Sequence, residues 1–353
     1  MEALVRSGHT VAAVIPDCPA EAKVEFIESG CTLIHVNMNR RGINPLEDMG
    51  LFLRYIKILK REKPDFVFNY TIKPNIYCGI ACEMLRIAYC LNVTGLGSVY
   101  ERSGAIQVLV DALYRLACMR ARQVFFENTT NRLLFIEKRI LRENQATALP
   151  GAGVNTEKYQ PTPYPPDTGV TNILYIGRIM HEKGIDELLA VIRRIHVQRK
   201  DVHFHIIGWY EEAYRETLER FVRDGLLSFH GFQKEIKPFV AAAHAVILPS
   251  WHEGMSNALL EAAAMARPLL ASDIPGCREA LKPGESGMLF RVRDAESLYQ
   301  CVICFMDLSY EQKNAMGIAS RMFVENTFDK RLVINKTLGS CGLLNREIIK
   351  AVA

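Results

Sequence analysis

Short apolar runs alternate with helical stretches along almost the whole of this 353-residue chain, and that alternation limits its fold more than any other feature. In the first half the strand candidates are Thr10 to Ile15, Thr32 to Val36, Asp65 to Tyr70, Ala88 to Val93 and Gln123 to Glu127. Between them lie helical stretches near 46–62, 75–86, 105–120 and 129–142. Alternation of this kind implies parallel sheets covered by helices on both faces. The pattern breaks at Pro161-Thr162-Pro163-Tyr164-Pro165-Pro166-Asp167, where four prolines in seven residues suit neither a helix nor a central strand and read as a linker.

Beyond that break the pattern restarts. Strands are expected at Asn172 to Ile176, Val202 to Ile207, Leu227 to Phe229, Ala245 to Leu248 and Leu269 to Ser272, with helices at 184–198, 211–223, 234–243 and 256–266. The expectation is two doubly wound α/β domains facing a cleft, with ligands beyond the carboxyl ends of the strands. Domain one spans 1–158, domain two 159–325, and 326–353 is expected to be a helical segment crossing back to the first. Met1 to Arg6 reads as the end of a helix closed by Gly8, so the first strand of the amino-terminal domain and its glycine-rich loop are expected upstream of Met1.

Composition narrows the class. No apolar run approaches the roughly 18–20 residues of a membrane span, and the opening residues are not a signal peptide. The ten cysteines follow no framework spacing and read as reduced thiols of a cytoplasmic protein. Cys301-Val302-Ile303-Cys304 lies in an apolar helical run without a second pair, which favours core packing over metal binding. The net charge of +4 arises in the first half, much of it from Arg54, Lys57, Lys60, Arg61 and Lys63 among Leu51, Phe52, Leu53, Ile56, Ile58 and Leu59. Such a helix suits peripheral contact with an anionic membrane at its inner face, or equally an ordinary solvated surface. Nucleic acid is not expected as a partner.

The segment Glu253-Gly254-Met255-Ser256-Asn257-Ala258-Leu259-Leu260-Glu261 follows a buried strand and enters a helix. A helix N-terminus leaves amides unpaired, here those of Met255, Ser256 and Asn257, and carries the positive end of a dipole, which suits a diphosphate. Glu253 at the mouth and Glu261 two turns inside could accept hydrogen bonds from different hydroxyls of one extended ligand. Each could equally be an ordinary helix charge. Gly177-Arg178-Ile179-Met180-His181-Glu182-Lys183-Gly184 brings two cations, Arg178 and Lys183, to the carboxyl end of another strand. Two cations beside a helix N-terminus match the charge that builds on a departing diphosphate.

Taken in order, Gly-Arg-x4-Lys-Gly, Gly208 after a strand, His230-Gly231-Phe232, Pro249-Ser250-x2-Glu253-Gly254, the Glu-x7-Glu pair and Ser272-Asp273-x-Pro275-Gly276 resemble glycosyltransferase family 4, of the GT-B fold. The resemblance covers nearly the whole chain and is strongest from about 149 to 290. Asn69-Tyr70-Thr71-Ile72-Lys73-Pro74-Asn75 and Asn92-Val93-Thr94-Gly95-Leu96-Gly97-Ser98 are similar to members that extend lipid-linked bacterial glycans.

The resemblance implies transfer of a hexose or N-acetylhexosamine from a nucleotide-diphosphate sugar, a UDP-sugar first, with retention of configuration. The acceptor would be a glycan or a lipid-linked glycan of bacterial surface polysaccharide or glycoconjugate synthesis. Arg178 and Lys183 would neutralise the diphosphate, Glu253 would bind donor-sugar hydroxyls and Glu261 the ribose. The amides of Met255, Ser256 and Asn257 would contact phosphate and sugar, Gly177, Gly208 and Gly254 would allow close approach, and Phe232 and its neighbours would border the base. The nucleotide-sugar is a substrate, so no cofactor is implied, and without an Asp-x-Asp no metal is called for. Family members often carry a histidine where this chain has Thr94-Gly95, so no catalytic histidine is carried over.

Lys73, Asn92, Thr94 and Gly95 are candidates for the acceptor side, each with a structural role as the alternative. Gly153, in Gly151-Ala152-Gly153-Val154-Asn155, is a candidate for the hinge wall of the cleft. Two other functions share the same expected pocket: a non-catalytic sugar-nucleotide binder and a sugar-nucleotide epimerase of the same fold.

Overall fold

The computed structural model describes all residues except 19, 40–43, 97–99, 101–103, 344–349 and 353. The chain forms two units, Met1–Leu149 with Ile334–Ala353, and Pro150–Val333. The division falls ahead of the proline run, which therefore belongs to the second unit.

The first unit holds strands β1 (Thr10–Ile15), β2 (Thr32–His35), β3 (Phe66–Tyr70), β4 (Ala88–Val93), β5 (Gln123–Phe126) and β6 (Ala146–Ala148). Its helices are α1 (Glu2–Arg6), α2 (Ala20–Glu28), α3 (Pro45–Glu62), α4 (Gly79–Leu85), α5 (Ala105–Cys118) and α6 (Thr129–Glu137). Local chemistry sets the ends of α3: Asn44 accepts from the amides of Leu46 and Glu47, Pro45 opens the first turn, and Lys63 stops it in a left-handed conformation at φ 46°. Leu51, Tyr55, Ile58 and Leu59 of α3 pack into a core with Val67, Leu91, Val124 and Phe126 of the sheet. A π-helical turn, Pro74–Cys78, precedes α4.

The second unit is a six-stranded parallel sheet of β7 (Thr171–Ile176), β8 (Val202–Ile207), β9 (Leu227–Phe229), β10 (Ala245–Leu248), β11 (Leu269–Ser272) and β12 (Gly287–Phe290). Around it lie α7 (Ile185–Gln198), α8 (Arg215–Arg223), α9 (Lys237–Ala242), α10 (Asn257–Ala264), α11 (Ala295–Met306) and α12 (Tyr310–Thr327). The strand order is β12-β11-β10-β7-β8-β9, so the winding reverses between β7 and β10. Connections leave these two neighbours in opposite directions, and a crevice opens above their carboxyl ends.

The proline run has no regular structure, as its composition requires, but it is fixed in place. Arg267, fully buried, donates to the carbonyls of Thr162 and Pro163, to Thr162 Oγ1, and to the carbonyls of Val240, Ala241, Met265 and Ala266. No carboxylate is among these partners. Carbonyls at the ends of α9 and α10 carry the negative ends of helix dipoles and hold the guanidinium in their place.

Helix α13 (Lys330–Ser340) leads back to the first unit, and β13 (Lys350–Val352) ends the described chain. The segment 326–353 is thus not helical throughout. The first sheet has the order β2-β1-β13-β3-β4-β5-β6, with β13 parallel to both neighbours. The place between β1 and β3 is taken by β13, paired Val11 to Ala351 and Val67 to Val352. Three residues carry no readable period, and only the slot between β1 and β3 dictates their conformation.

Candidate functional site

A cavity of ≈ 360 Å³ opens at the carboxyl ends of β7, β8 and β10, where the strand order reverses. Three loops meet there closely. Gly177 donates to the Ile207 carbonyl at 3.0 Å and Gly208 to the Gly231 carbonyl at 2.9 Å. A Cβ on Gly208 would lie 1.8 Å from the Gly177 oxygen, so no other residue permits this approach. Gly184, at φ +69°, turns the chain into α7 against the Pro249 carbonyl, 2.1 Å from where a Cβ would be, and so brings Lys183 alongside β10.

Charge is concentrated on one wall. Lys183 Nζ donates to Glu253 Oε1 at 2.5 Å, both side chains largely buried, and Ser250 Oγ donates to the same oxygen at 2.8 Å. Arg178 lines the cavity and has no ion pair among the described residues. Its carbonyl accepts from the buried Tyr175 hydroxyl at 2.8 Å, which fixes the loop beneath it. Burial pushes that hydroxyl's pKa well above the usual tyrosine value.

Helix α10 points its N-terminus into the same space. Ser256 caps it, accepting from the Leu259 amide at 3.3 Å. The amide of Ser256, expected to face a ligand, donates instead to the Gly276 carbonyl at 3.3 Å, because the loop after β11 crosses directly behind the cap. Met255, Asn257 and Ala258 line the cavity, and the first-turn amides of Asn257 and Ala258 have no partner within the helix. Glu261 lines the far end. Burial raises its carboxyl above the usual glutamate value, opposed by a hydrogen bond from Tyr159 and by the charge of Lys158. On the opposite side stand Trp209 and Phe232, both exposed, in an edge-to-face pair 5.7 Å apart.

Of the residues expected at a donor site, Gly177, Arg178, Lys183, Gly208, Phe232, Glu253, Met255, Ser256, Asn257 and Glu261 line this one cavity. Gly254 does not line it; its carbonyl backs onto Gly276. Gln233, a neighbour of Phe232, lines the cavity as well, whereas Trp209, Ile236 and Tyr159 do not follow from the sequence reading. Trp209 sits next to Gly208, and an aromatic flanking a strand-ending glycine was the available signal. Tyr159 reaches Glu261 from a distant part of the sequence, and nothing local announces it.

The acceptor-side candidates fall differently. Lys73 donates to Asp48 Oδ1 at 2.7 Å, and Tyr77 donates to the other oxygen at 2.9 Å, so this ammonium is held in a largely buried pair. Asn92 is buried and bridges strands: its side chain donates to the Asn69 carbonyl at 2.9 Å, while Asn75 binds its amide and its carbonyl. These contacts give both side chains a structural role, and Lys73 also lines a cavity of ≈ 430 Å³. Thr94 and Gly95 follow β4 in a part-buried loop, whereas Gly97 and Ser98 lie outside the described residues. Gly153 is not at the cavity; at φ +72° it lies against Phe328, Lys330 and Val333.

Known proteins resemble this chain in sequence and in fold. A family model described as "Glycosyl transferases group 1" matches residues 170–307, and one described as "Glycosyl transferase 4-like" matches 1–128. The N,N'-diacetylbacillosaminyl-diphospho-undecaprenol alpha-1,3-N-acetylgalactosaminyltransferase of Campylobacter jejuni is 24% identical over 294 residues, 79% of this chain and 77% of that protein. The capsular polysaccharide biosynthesis glycosyltransferase CapM of Staphylococcus aureus is 22% identical over 317 residues, 85% of this chain and 82% of CapM. Among solved structures, Anabaena HepE in complex with UDP-glucose superposes with a TM-score of 0.76 at 15% identity, covering 94% of this chain and 99% of the other. The chain belongs to the glycosyltransferase 4 type of GT-B glycosyltransferases.

Proposed function

We propose that the protein transfers a hexose or N-acetylhexosamine from a UDP-sugar, with retention, to a glycan or lipid-linked acceptor in bacterial surface polysaccharide or glycoconjugate synthesis in the cytoplasm. One observation carries this reading: Arg178, Lys183 and the first turn of α10 converge on a single cavity that has Glu253 near its cations and Glu261 at its far end. A diphosphate entering there competes with Glu253 for the Lys183 ammonium. Once released, the Glu253 carboxylate is available to sugar hydroxyls. Trp209 and Phe232 supply faces for a base, and Glu261, oriented by Tyr159, an acceptor for ribose hydroxyls.

As the glycosidic bond breaks, negative charge grows on the leaving diphosphate. Fixed cations and helix amides stabilise that charge more than they stabilise the ground state, which is where the rate gain originates. The same groups supply what a divalent metal would otherwise supply, so the proposal includes a metal-independent reaction with no resident cofactor. The leaving phosphate oxygen takes the acceptor hydroxyl's proton on the face from which it departs, and retention follows. Support for the acceptor comes from the C. jejuni relative, named for a diphospho-undecaprenol substrate, and from CapM, named for capsular polysaccharide.

The test is a panel of UDP-sugars with a lipid-diphosphate glycan acceptor, reading UDP release and the anomeric configuration of the product. Acceptor-dependent UDP release with an α-linkage from an α-donor is expected. UDP-sugar binding with neither transfer nor hydrolysis across the panel would overturn the reading in favour of a non-catalytic binder.

A further inference from the structure

We propose that His205 and His230, neither of them among the residues lining the donor cavity, are positioning residues for the nucleobase: they hold the Gly231-Phe232-Gln233 turn so that the Gln233 side chain offers one fixed acceptor to it. The proposal rests on the donor reading above and names the groups that select uracil within it.

Three imidazoles stand in a row on one face of the second sheet. His203 and His205 alternate with Phe204 and Ile206 along β8, so their side chains share a face. His203 Nε2 lies 2.9 Å from Ser228 Oγ on β9, and its ring meets that of His205 edge-on at 4.8 Å. The rings of His205 and His230 lie within 16° of parallel, with His205 Nδ1 3.1 Å from His230 Nε2. The His230 ring also packs against Phe239 of α9 at 4.8 Å.

The partners assign the protons. Asn172 on β7 places its Oδ1 3.4 Å from His205 Nε2, so that nitrogen carries the hydrogen and Nδ1 keeps its lone pair. His230 Nε2 is then the donor to His205. Its backbone is tied to the same strand, because the His230 amide donates to the Ile206 carbonyl at 2.9 Å. Burial, then the neighbouring imidazoles, holds His205 at about 4, so the lone pair persists through neutral pH.

The backbone hands this position on to the cavity. The His230 carbonyl accepts from Gln233 Nε2 at 2.7 Å, and the Gly231 carbonyl accepts from Gly208 in the loop after β8 at 2.9 Å. A carbonyl can only accept, so the Gln233 amide has one orientation: Nε2 faces His230, and Oε1 is left for a ligand in the cavity that this side chain lines. Uracil presents an N–H at N3, whereas cytosine presents a lone pair there. With the diphosphate at Arg178 and Lys183 and the ribose at Glu261, the base has no freedom to slide to another match. Turning the amide over to suit cytosine would set Oε1 against the His230 carbonyl. A site built to bond one hydrogen rejects the analogue that lacks it, because an acceptor is left facing an acceptor.

Calorimetry of the full chain with UDP, CDP and inorganic pyrophosphate, beside thermal melts, tests this. Wild type should bind UDP about tenfold or more tighter than CDP. Gln233→Leu should erase most of that preference and leave pyrophosphate affinity unchanged. His205→Phe keeps the ring and removes the acceptor, so UDP should weaken by about three- to tenfold with pyrophosphate unaffected. His205→Asn, which returns an acceptor oxygen near the place of Nδ1, should recover most of that loss. Retained pyrophosphate affinity shows that the variants are folded. A His205→Phe variant with a lower Tm but unchanged UDP affinity would make His205 merely structural and overturn the proposal. So would equal wild-type affinities for UDP and CDP, or a Gln233→Leu variant that keeps the preference. Wild type that binds pyrophosphate as tightly as UDP would sink the base assignment of the donor reading together with this one, whereas a UDP preference untouched by the variants would leave the donor reading standing.

Discussion

Lys183 and Ser250 both donate to Oε1 of Glu253, so one carboxylate oxygen joins the loop after β7 to the loop after β10 across the point where the sheet reverses. Under the proposed function, a donor phosphate would have to displace this carboxylate from the ammonium.

Glu253→Gln removes the competitor for Lys183 while keeping the shape. UDP alone should then bind as tightly as before or more tightly, while sugar transfer falls by about a hundredfold or more, because the hydroxyl acceptor is weakened. Calorimetry with UDP beside a transfer assay checks this. A parallel loss of both would mean that Glu253 serves only to hold Lys183.

Arg178→Ala and Lys183→Ala each take a cation from the proposed position of growing charge. Transfer should drop by roughly two orders of magnitude in each, with Tm changed little for Arg178, which has no ion pair among the described residues to lose. Lys183→Ala leaves Glu253 partly buried without its cation, so its Tm should fall as well. Thermal melts of the two variants should therefore separate, and coincident melts would contradict the pairing seen here.

Glu261→Gln tests a conflict between folding and binding. Burial raises the Glu261 carboxyl, so the unfolded chain ionises more readily than the folded one, and this group's contribution to stability is lost as pH rises through its folded value. At neutral pH the glutamine variant should melt at the same temperature or higher, yet bind UDP about tenfold more weakly. A variant that is less stable and binds normally would assign Glu261 to structure.

Arg267→Met leaves a ring of buried carbonyls without a donor. A loss of about 3–5 kcal/mol is expected in denaturant unfolding. Burial already lowers this guanidinium to about 10. Arg267→Lys should recover only part of the loss, because one ammonium cannot reach acceptors in the proline run, in α9 and just after α10 together.

His205 lies between His203, also on β8, and His230, just after β9, with its Nδ1 3.1 Å from His230 Nε2. Burial, then the neighbouring imidazoles, lowers it to about 4 from an ordinary 6.5. The unfolded state therefore binds its proton first. Stability is whole above pH 6.5 and is lost as pH falls from 6.5 toward 4, by roughly 1–2 kcal/mol after allowance for partial exposure. His203 and His230 shift in the same direction. Melting from pH 7.5 to 4.5 should show the decline, and His205→Phe should flatten it; an equal slope in both proteins would place the proton elsewhere.

The sequence alone determined the two alternating α/β halves, and β1, β4, β8, β9, β10 and β11 begin and end where the apolar runs do. It also determined most of the cavity wall, because Gly177 to Gly184 and Glu253 to Glu261 are contiguous segments whose loop and helix chemistry is local. Tertiary structure decided what depends on distant partners. Tyr159 reaches Glu261, Asp48 captures Lys73, Asn75 engages Asn92, and Arg267 pins a proline run that read as a linker. The carboxyl-terminal strand is the clearest case. Three residues have no period of their own, and they become a strand because two parallel neighbours, β1 and β3, present unpaired backbone groups that only another strand can satisfy.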